Sequence, residues 1–301
     1  MQIGQIAAGI ALAVCISPCT TALAAPTAVV EGVQMPAWVE RGGAKQPIAP
    51  GMQLNAADRI TTGPNSRLLL RLAEGSTVKL GENAMLSLDK LEQSKQNKQT
   101  FLQAALDVAR GAFRFTTEAA NKLNSKRDVT IHIATLTAGV RGTDLWGKSA
   151  GDRDVVCLIE GHIAVQREQD PAIDMAQPLQ FYIAPKTAEG KADRSRPDPQ
   201  VAAVSEDQLK QWSLETEIGD GQGAARKGGK FKLTAMASPD QNAALKAYQD
   251  LRAAGYPAQI FPVGDAAKRS YEVRIPGLAS KDDADNLAPK VEAITGVKPG
   301  G

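Results

Sequence analysis

The sequence predicts a multidomain chain: an all-β domain followed by a small α+β module of βαββα(β), ferredoxin-like order. Three observations predict it. Apolar runs between residues 27 and 184 are short and bounded by turn residues, as in a compact all-β domain. Proline and glycine then crowd residues 171–199 and 219–229. From Lys230 onward, strand-like runs and helix signals alternate in the order of a split βαβ unit.

The elements follow in chain order. Residues 1–30 hold no charged side chain, and Ile6 to Ile16 is an unbroken run of apolar or small residues. That run is too short for a bilayer, which needs ~20 apolar residues. Ala22-Leu23-Ala24 supplies a small-x-small cleavage pattern, and Pro26 stops any helix beyond it. The reading is a Sec-type signal peptide over residues 1–24 and an exported, periplasmic mature chain. No later segment is long and apolar enough to span a membrane. The mature chain keeps one thiol, Cys157, inside the apolar run Val155 to Ile159, where a buried, inert cysteine is expected.

Within 27–184, Arg67 to Leu72 reads as a strand closed by Glu74-Gly75. Thr77 to Leu80 and Leu86 to Leu88 alternate as strands do. Residues 92–99 read as a polar loop, and Thr100 to Arg110 fits helix or strand. Asp128 to Leu136 puts Val129, Ile131 and Ile133 on one face and Thr130 and His132 on the other. Val155 to Ile159 and Ile163 to Val165 flank an expected turn at Glu160-Gly161-His162. Arg141-Gly142-Thr143-Asp144 reads as a structural turn, with a recognition loop as the alternative.

Residues 185–229 read as a Pro/Gly-rich linker interrupted by a short helix over 205–218. Ser205-Glu206-Asp207-Gln208 opens that helix, and Leu209, Trp212 and Ile218 lie roughly on one side, suited to docking on the β domain. Gly219 to Gly229 carries five glycines and reads as a flexible tether. Residues 230–301 then form the α+β module. Phe231 to Ala237 is a strand, and Ser238-Pro239-Asp240-Gln241 reads as a capping box, with Ser238 as cap and proline at the first helical position, opening a helix that Gly255 ends. Ala258 to Val263 and Tyr271 to Ile275 are strands. Ser280 caps a second helix, which carries Pro289 inside it and stops at Gly296, with room for a last short strand at Val297-Lys298.

Charge and composition exclude several function classes. Thirty-five Lys+Arg nearly balance 33 Asp+Glu, so no strong electrostatic partner such as nucleic acid is implied. Two His and three Cys leave little material for a metal site, and no nucleophile-base set or phosphate loop occurs, so no enzyme, cofactor or metal is expected. The chemistry is sought on the open sheet face of the C-terminal module. If Phe231, Leu233 and Ala235 face the helices, Lys232, Thr234 and Met236 face out. If Tyr271, Val273 and Ile275 face inward, Glu272 and Arg274 face out. If Ile260 points inward, Gln259 and Phe261 point out. A face of polar groups with one ring and a Met suits carbohydrate or peptide.

Residues 229–301 resemble a SPOR domain. The resemblance rests on Asn242-Ala243, on Leu251 with Gly255-Tyr256-Pro257-Ala258, on Tyr271-Glu272-Val273-Arg274-Ile275, on Pro276-Gly277-Leu278, and on Ser280 with Ala284. It implies binding of peptidoglycan glycan strands stripped of stem peptides, on the open sheet face. Residues of about 48–166 resemble a FecR-like periplasmic domain. Asp58-Arg59-Ile60-Thr61-Thr62-Gly63-Pro64-Asn65-Ser66, Gly75 to Leu80, Ala138 to Leu145 and Glu160 to Val165 carry that resemblance. It implies an all-β scaffold or partner-binding module. The family's best-known member relays iron-siderophore signals through a membrane span; a cleavable leader stands here instead, so that relay is not carried over. The sequence therefore reads as a non-catalytic envelope protein of a Gram-negative cell, bound to peptidoglycan at sites of cell division where stripped strands accumulate, and holding an envelope partner. The alternative is a periplasmic sensor or regulator acting through a separate membrane partner.

Overall fold

The computed structural model describes residues 28–96, 99–117, 125–195, 201–265 and 268–300. The expected leader over 1–24 lies outside the described residues. Among the described residues, nineteen strands and three helices occur, and the strands are linked through one continuous network of ladders.

The described residues open with β1 (Ala28–Gln34), β2 (Ala37–Arg41), β3 (Ala44–Pro47), β4 (Gln53–Leu54), β5 (Arg59–Thr62), β6 (Arg67–Leu72) and β7 (Thr77–Leu80). β1 pairs antiparallel with β4 and β6, β2 with β3 and β5, and β6 turns back into β7. Strict alternation drives these strands: Leu68, Leu70 and Leu72 are buried while Arg71 reaches solvent.

β8 (Met85–Gln96) and β9 (Gln99–Thr116) form a long hairpin. The ambiguous segment is therefore strand. Ala104, Leu106 and Val108 are buried and alternate with half-buried Gln103, Ala105 and Asp107, a period of two that the alanines mask in the sequence. Most of the expected polar loop over 92–99 also belongs to this hairpin, because backbone pairing runs on past the apolar base.

β10 (Ser125–Ile133) lies parallel to β9 and antiparallel to β11 (Leu136–Ser149), whose far half also pairs with β9. β12 (Arg153–Arg167) carries β14 (Gln180–Pro185) on its first half and β13 (Ile173–Met175) on its second. β15 (Val201–Ala203) adds to β14.

The expected turn at Glu160-Gly161-His162 is a bulge inside the single strand β12. It faces a second irregularity at Arg141 to Asp144, where the register steps from Arg141↔His162 to Asp144↔Glu160. Gly161 has φ +98°, and a Cβ there would lie 2.7 Å from the Gly142 carbonyl oxygen. Gly161→Ala is expected to lower stability by ~2–3 kcal/mol, read as a fall in the urea midpoint at unchanged m-value.

α1 (Glu206–Leu214) is capped by the Ser205 hydroxyl, which accepts from the Gln208 amide at 3.2 Å. It docks on the β domain through Trp212, which stacks flat on buried Trp146 at 4.6 Å while Phe181 meets it edge-on. Cys157 lies in this small second core with Val155 and Val204. Burial, reinforced by the Asp144 charge, pushes its thiol up to about 12, so the thiolate is scarce at neutral pH.

The stretch read as a glycine-rich tether holds a strand. β16 (Ala224–Arg226) pairs with β1 on one side, Val33 opposite Ala225, and with the last strand of the C-terminal module on the other, Ala225 opposite Leu278. The backbone groups of this short run find partners on both flanks, and Ala224 and Ala225 are fully covered.

The C-terminal module contains β17 (Phe231–Ser238), α2 (Gln241–Ala253), β18 (Gln259–Val263), β19 (Ser270–Leu278) and α3 (Lys281–Thr295). β19 is central, with β17 and β18 antiparallel on either side. Asp240, rather than Ser238, is the α2 cap and accepts from the Asn242 amide. Ser280 caps α3 and Gly296 ends it. Ala247, Leu251, Leu287 and Val291 pack the helices on the sheet. Past α3, Gly300 and Thr234 exchange backbone hydrogen bonds, so Gly300 lies against β17.

The two parts meet tightly. Asp283 is 2% exposed; one carboxylate oxygen accepts from the amides of Gly223 and Ala224, and the other accepts from the Ser280 hydroxyl. The Trp38 indole of β2 donates to the Ala253 carbonyl at the end of α2. Gly255 lies against that ring with φ +89°, where a Cβ would come within 2.7 Å.

Candidate functional site: the open face of the C-terminal sheet

The helices cover one face of the β17–β19–β18 sheet, and the other face carries the candidate residues. Cross-strand register builds a row through its middle. Arg274 on β19 lies opposite Thr234 on β17 and opposite Gln259 on β18. The next row holds Glu272 with Phe261 on β18 and Ala237 on β17. Lys232, opposite Pro276, extends the face and is exposed.

Three side chains here form one cluster. The Arg274 Nε and Nη2 groups lie 2.7 and 2.6 Å from the same Glu272 oxygen. The guanidinium also sits 4.9 Å from the centroid of the Phe261 ring. Residues two apart on a strand share a face, so Glu272 and Arg274 are neighbours by the strand period alone. Phe261 is thereby held as a half-exposed ring with a cation on it. Gln259 is exposed and Thr234 half-exposed beside it. The face offers amide, hydroxyl and guanidinium donors around one apolar plate, a combination that suits a sugar ring or an extended chain.

Met236 is the exception among the expected residues. It packs against the core and pairs with Val273 rather than lying on the open face. The cause is a bulge at Ala235. The register steps from Thr234↔Arg274 to Met236↔Val273, which reverses the alternation along the rest of β17. Ala237 takes the outward position instead. The Ala-Met-Ala sequence has no polar residue whose placement would betray the step. Phe231, expected against the helices, is 46% exposed at the module's rim.

The β domain carries a separate cleft of about 550 Å³ across β10 to β13. It is lined by Asp128, Thr130, Gly139, Arg141, His162 and Asp174 among others. His162 Nε2 is 3.4 Å from an Asp174 carboxylate oxygen, and the His132 ring contacts the Thr137 hydroxyl. Thr143 and Asp144 of the expected structural turn bind partners across the sheet. Thr143 donates its hydroxyl to the His162 carbonyl, and Asp144 receives the Arg114 guanidinium at 2.7 and 2.9 Å. Arg141 alone of that motif points to the cleft. Among the described residues, no three His, Cys, Asp or Glu side chains converge as a metal site would require.

Comparison with known proteins gives two family matches. Residues 58–164 match the FecR protein family and residues 227–300 match the SPOR domain family. No curated protein matches the sequence. Two crystal structures of a "putative anti-sigma factor" from Parabacteroides distasonis ATCC 8503 are similar at 10% identity and a TM-score of 0.38. One alignment covers 52% of this chain and 64% of the solved chain, so this chain spans less than two thirds of it. The other covers 79% and 91%. A likeness this slight bears on neither fold nor function. The chain carries a FecR domain over residues 58–164 and a C-terminal SPOR domain over residues 227–300.

Proposed function

We propose that this is a non-catalytic, exported envelope protein that binds peptidoglycan glycan strands through the open face of its SPOR domain. SPOR domains bind peptidoglycan, and FecR-like proteins work with partners. The observation that carries the reading is the clustering of Gln259, Phe261, Thr234, Glu272 and Arg274 on one uncovered face. A sugar's C–H face rests on Phe261 while its hydroxyls exchange hydrogen bonds with the surrounding groups. Lys232 contributes a flexible cation at the edge. In this reading the domains run as a leader over 1–24, a β domain over 27–184, a connecting segment over 185–229, and a ferredoxin-like glycan module over 230–301. The periplasm is the compartment, and the FecR domain presents its cleft to an envelope partner. The FecR match also supports the second reading, a periplasmic regulator acting through a separate membrane partner.

Deleting the module is a poor test, because β19 covers one side of β16. Point changes avoid this. Phe261→Ala is expected to reduce binding to amidase-treated sacculi about tenfold or more in a pull-down, with the unfolding curve little changed. Undiminished binding by Phe261→Ala would move the site off this face.

A further inference from the structure

We infer that Arg274 reads a free carboxylate on the glycan and that Glu272 is its internal competitor. This rests on the peptidoglycan reading above and specifies what that face distinguishes. Hydrolysis of the amide that joins a stem peptide to the glycan leaves a carboxylate on the sugar. A stripped strand therefore carries a carboxylate on the sugar where an intact strand carries an amide, and a receptor can recognise that difference directly.

Arg274 has the position for it. It is the middle residue of the middle strand, with Thr234 and Gln259 directly opposite on each side. Its side chain is 24% exposed, so it is reachable from solvent yet partly shielded. Phe261 supports the guanidinium from one side and restricts its orientation.

The contact with Glu272 leaves capacity unused. Nε and Nη2 converge on one carboxylate oxygen, Oε2, instead of forming the two parallel bonds of a fork. The Nη1 side of the guanidinium is directed at no partner among the described residues. A second carboxylate can dock on that edge in the bidentate geometry the planar group favours. Glu272 then acts in two opposed ways. It holds Arg274 beside the Phe261 ring, which pre-organises the site, and its charge repels the incoming carboxylate, which lowers affinity. A neutral or amidated sugar gains nothing from Arg274 that would offset the existing contact. Selectivity for the stripped strand follows from the difference.

The test uses the mature full chain and amidase-treated sacculi in two forms, with sugar carboxylates free or converted to methylamides. Wild type is expected to bind the free form about threefold to tenfold more tightly, with the gap closing as salt is raised. Arg274→Gln is expected to erase the gap and keep the weaker binding to both forms. Glu272→Gln retains a hydrogen-bond acceptor without the charge, and is expected to widen the gap about threefold. Thermal melts of both variants report whether the fold is intact. Equal wild-type binding to the two forms would overturn this inference alone, as would an undiminished gap in a folded Arg274→Gln. A narrower gap in Glu272→Gln would make Glu272 a direct sugar contact and overturn its role as competitor. Failure of wild type to bind either form would overturn the peptidoglycan reading, and this inference with it.

Discussion

Lys186→Met is expected to lower the unfolding free energy by ~3–5 kcal/mol, the largest single effect in the β domain. Lys186 brings its ammonium within 2.8 Å of Asp154 Oδ1, and both side chains are almost wholly buried. The ammonium donates to the Ser149 hydroxyl at 3.0 Å. The other Asp154 oxygen accepts from both the amide and the hydroxyl of Thr135. Asp154 is on β12, Ser149 ends β11, and Thr135 is in the β10–β11 turn. One charge pair thus ties the chain after β14 to three other places. Removing only the cation leaves a carboxylate with no countercharge at zero exposure. The double change Asp154→Leu with Lys186→Met is expected to recover much of the loss, because apolar groups of similar size can replace a buried pair. Urea unfolding followed by circular dichroism measures both. A loss below ~1 kcal/mol for the single variant would mean that the pair is hydrated in solution.

Asp283→Ala is expected to cost ~2–4 kcal/mol and to uncouple the two domains. The change orphans the amides of Gly223 and Ala224 in a covered place and removes the acid that serves the start of α3. Those amides lead into β16, so the loss falls on the join. The expected signature is a second unfolding transition, faster hydrogen exchange at residues 224–226, and protease cuts within 219–229. Unchanged exchange at 224–226 would show that ladder bonds alone hold β16.

These two sites were illegible in the sequence for the same reason. Lys186 and Asp283 are charged residues in polar surroundings, and only contacts distant along the chain bury them. Lys186 stands in a proline-rich run that reads as a linker. Asp283 reads as an ordinary acid in the first turn of a helix. Periodic signals fared better. Arg67 to Leu72 and Thr77 to Leu80 are strands as their alternation predicts. Ser280 and Gly296 bound α3 because capping is local chemistry that needs no tertiary partner. Alternation also places Thr234, Gln259, Phe261, Glu272 and Arg274 on one face, and fails at Met236, where an extra residue at Ala235 shifts the count. The bulge in β12 misled in a similar way. Glu160-Gly161-His162 has the composition of a turn, yet the ladder with β11 continues through it. Glycine marks an unusual backbone angle in both cases, and the sequence does not say which.

Strand β16 also bears on how the protein would serve two ligands at once. A glycine-rich tether would let each domain search its surroundings independently, with an effective concentration set by linker length. Ala225, paired on both sides, removes that freedom. A glycan lying across β17, β19 and β18 would have a fixed distance and heading to whatever occupies the cleft at Arg141 and His162. The protein would then act as a gauge: partners that fit its fixed span are bridged to the wall, and partners that do not fit are left to bind singly.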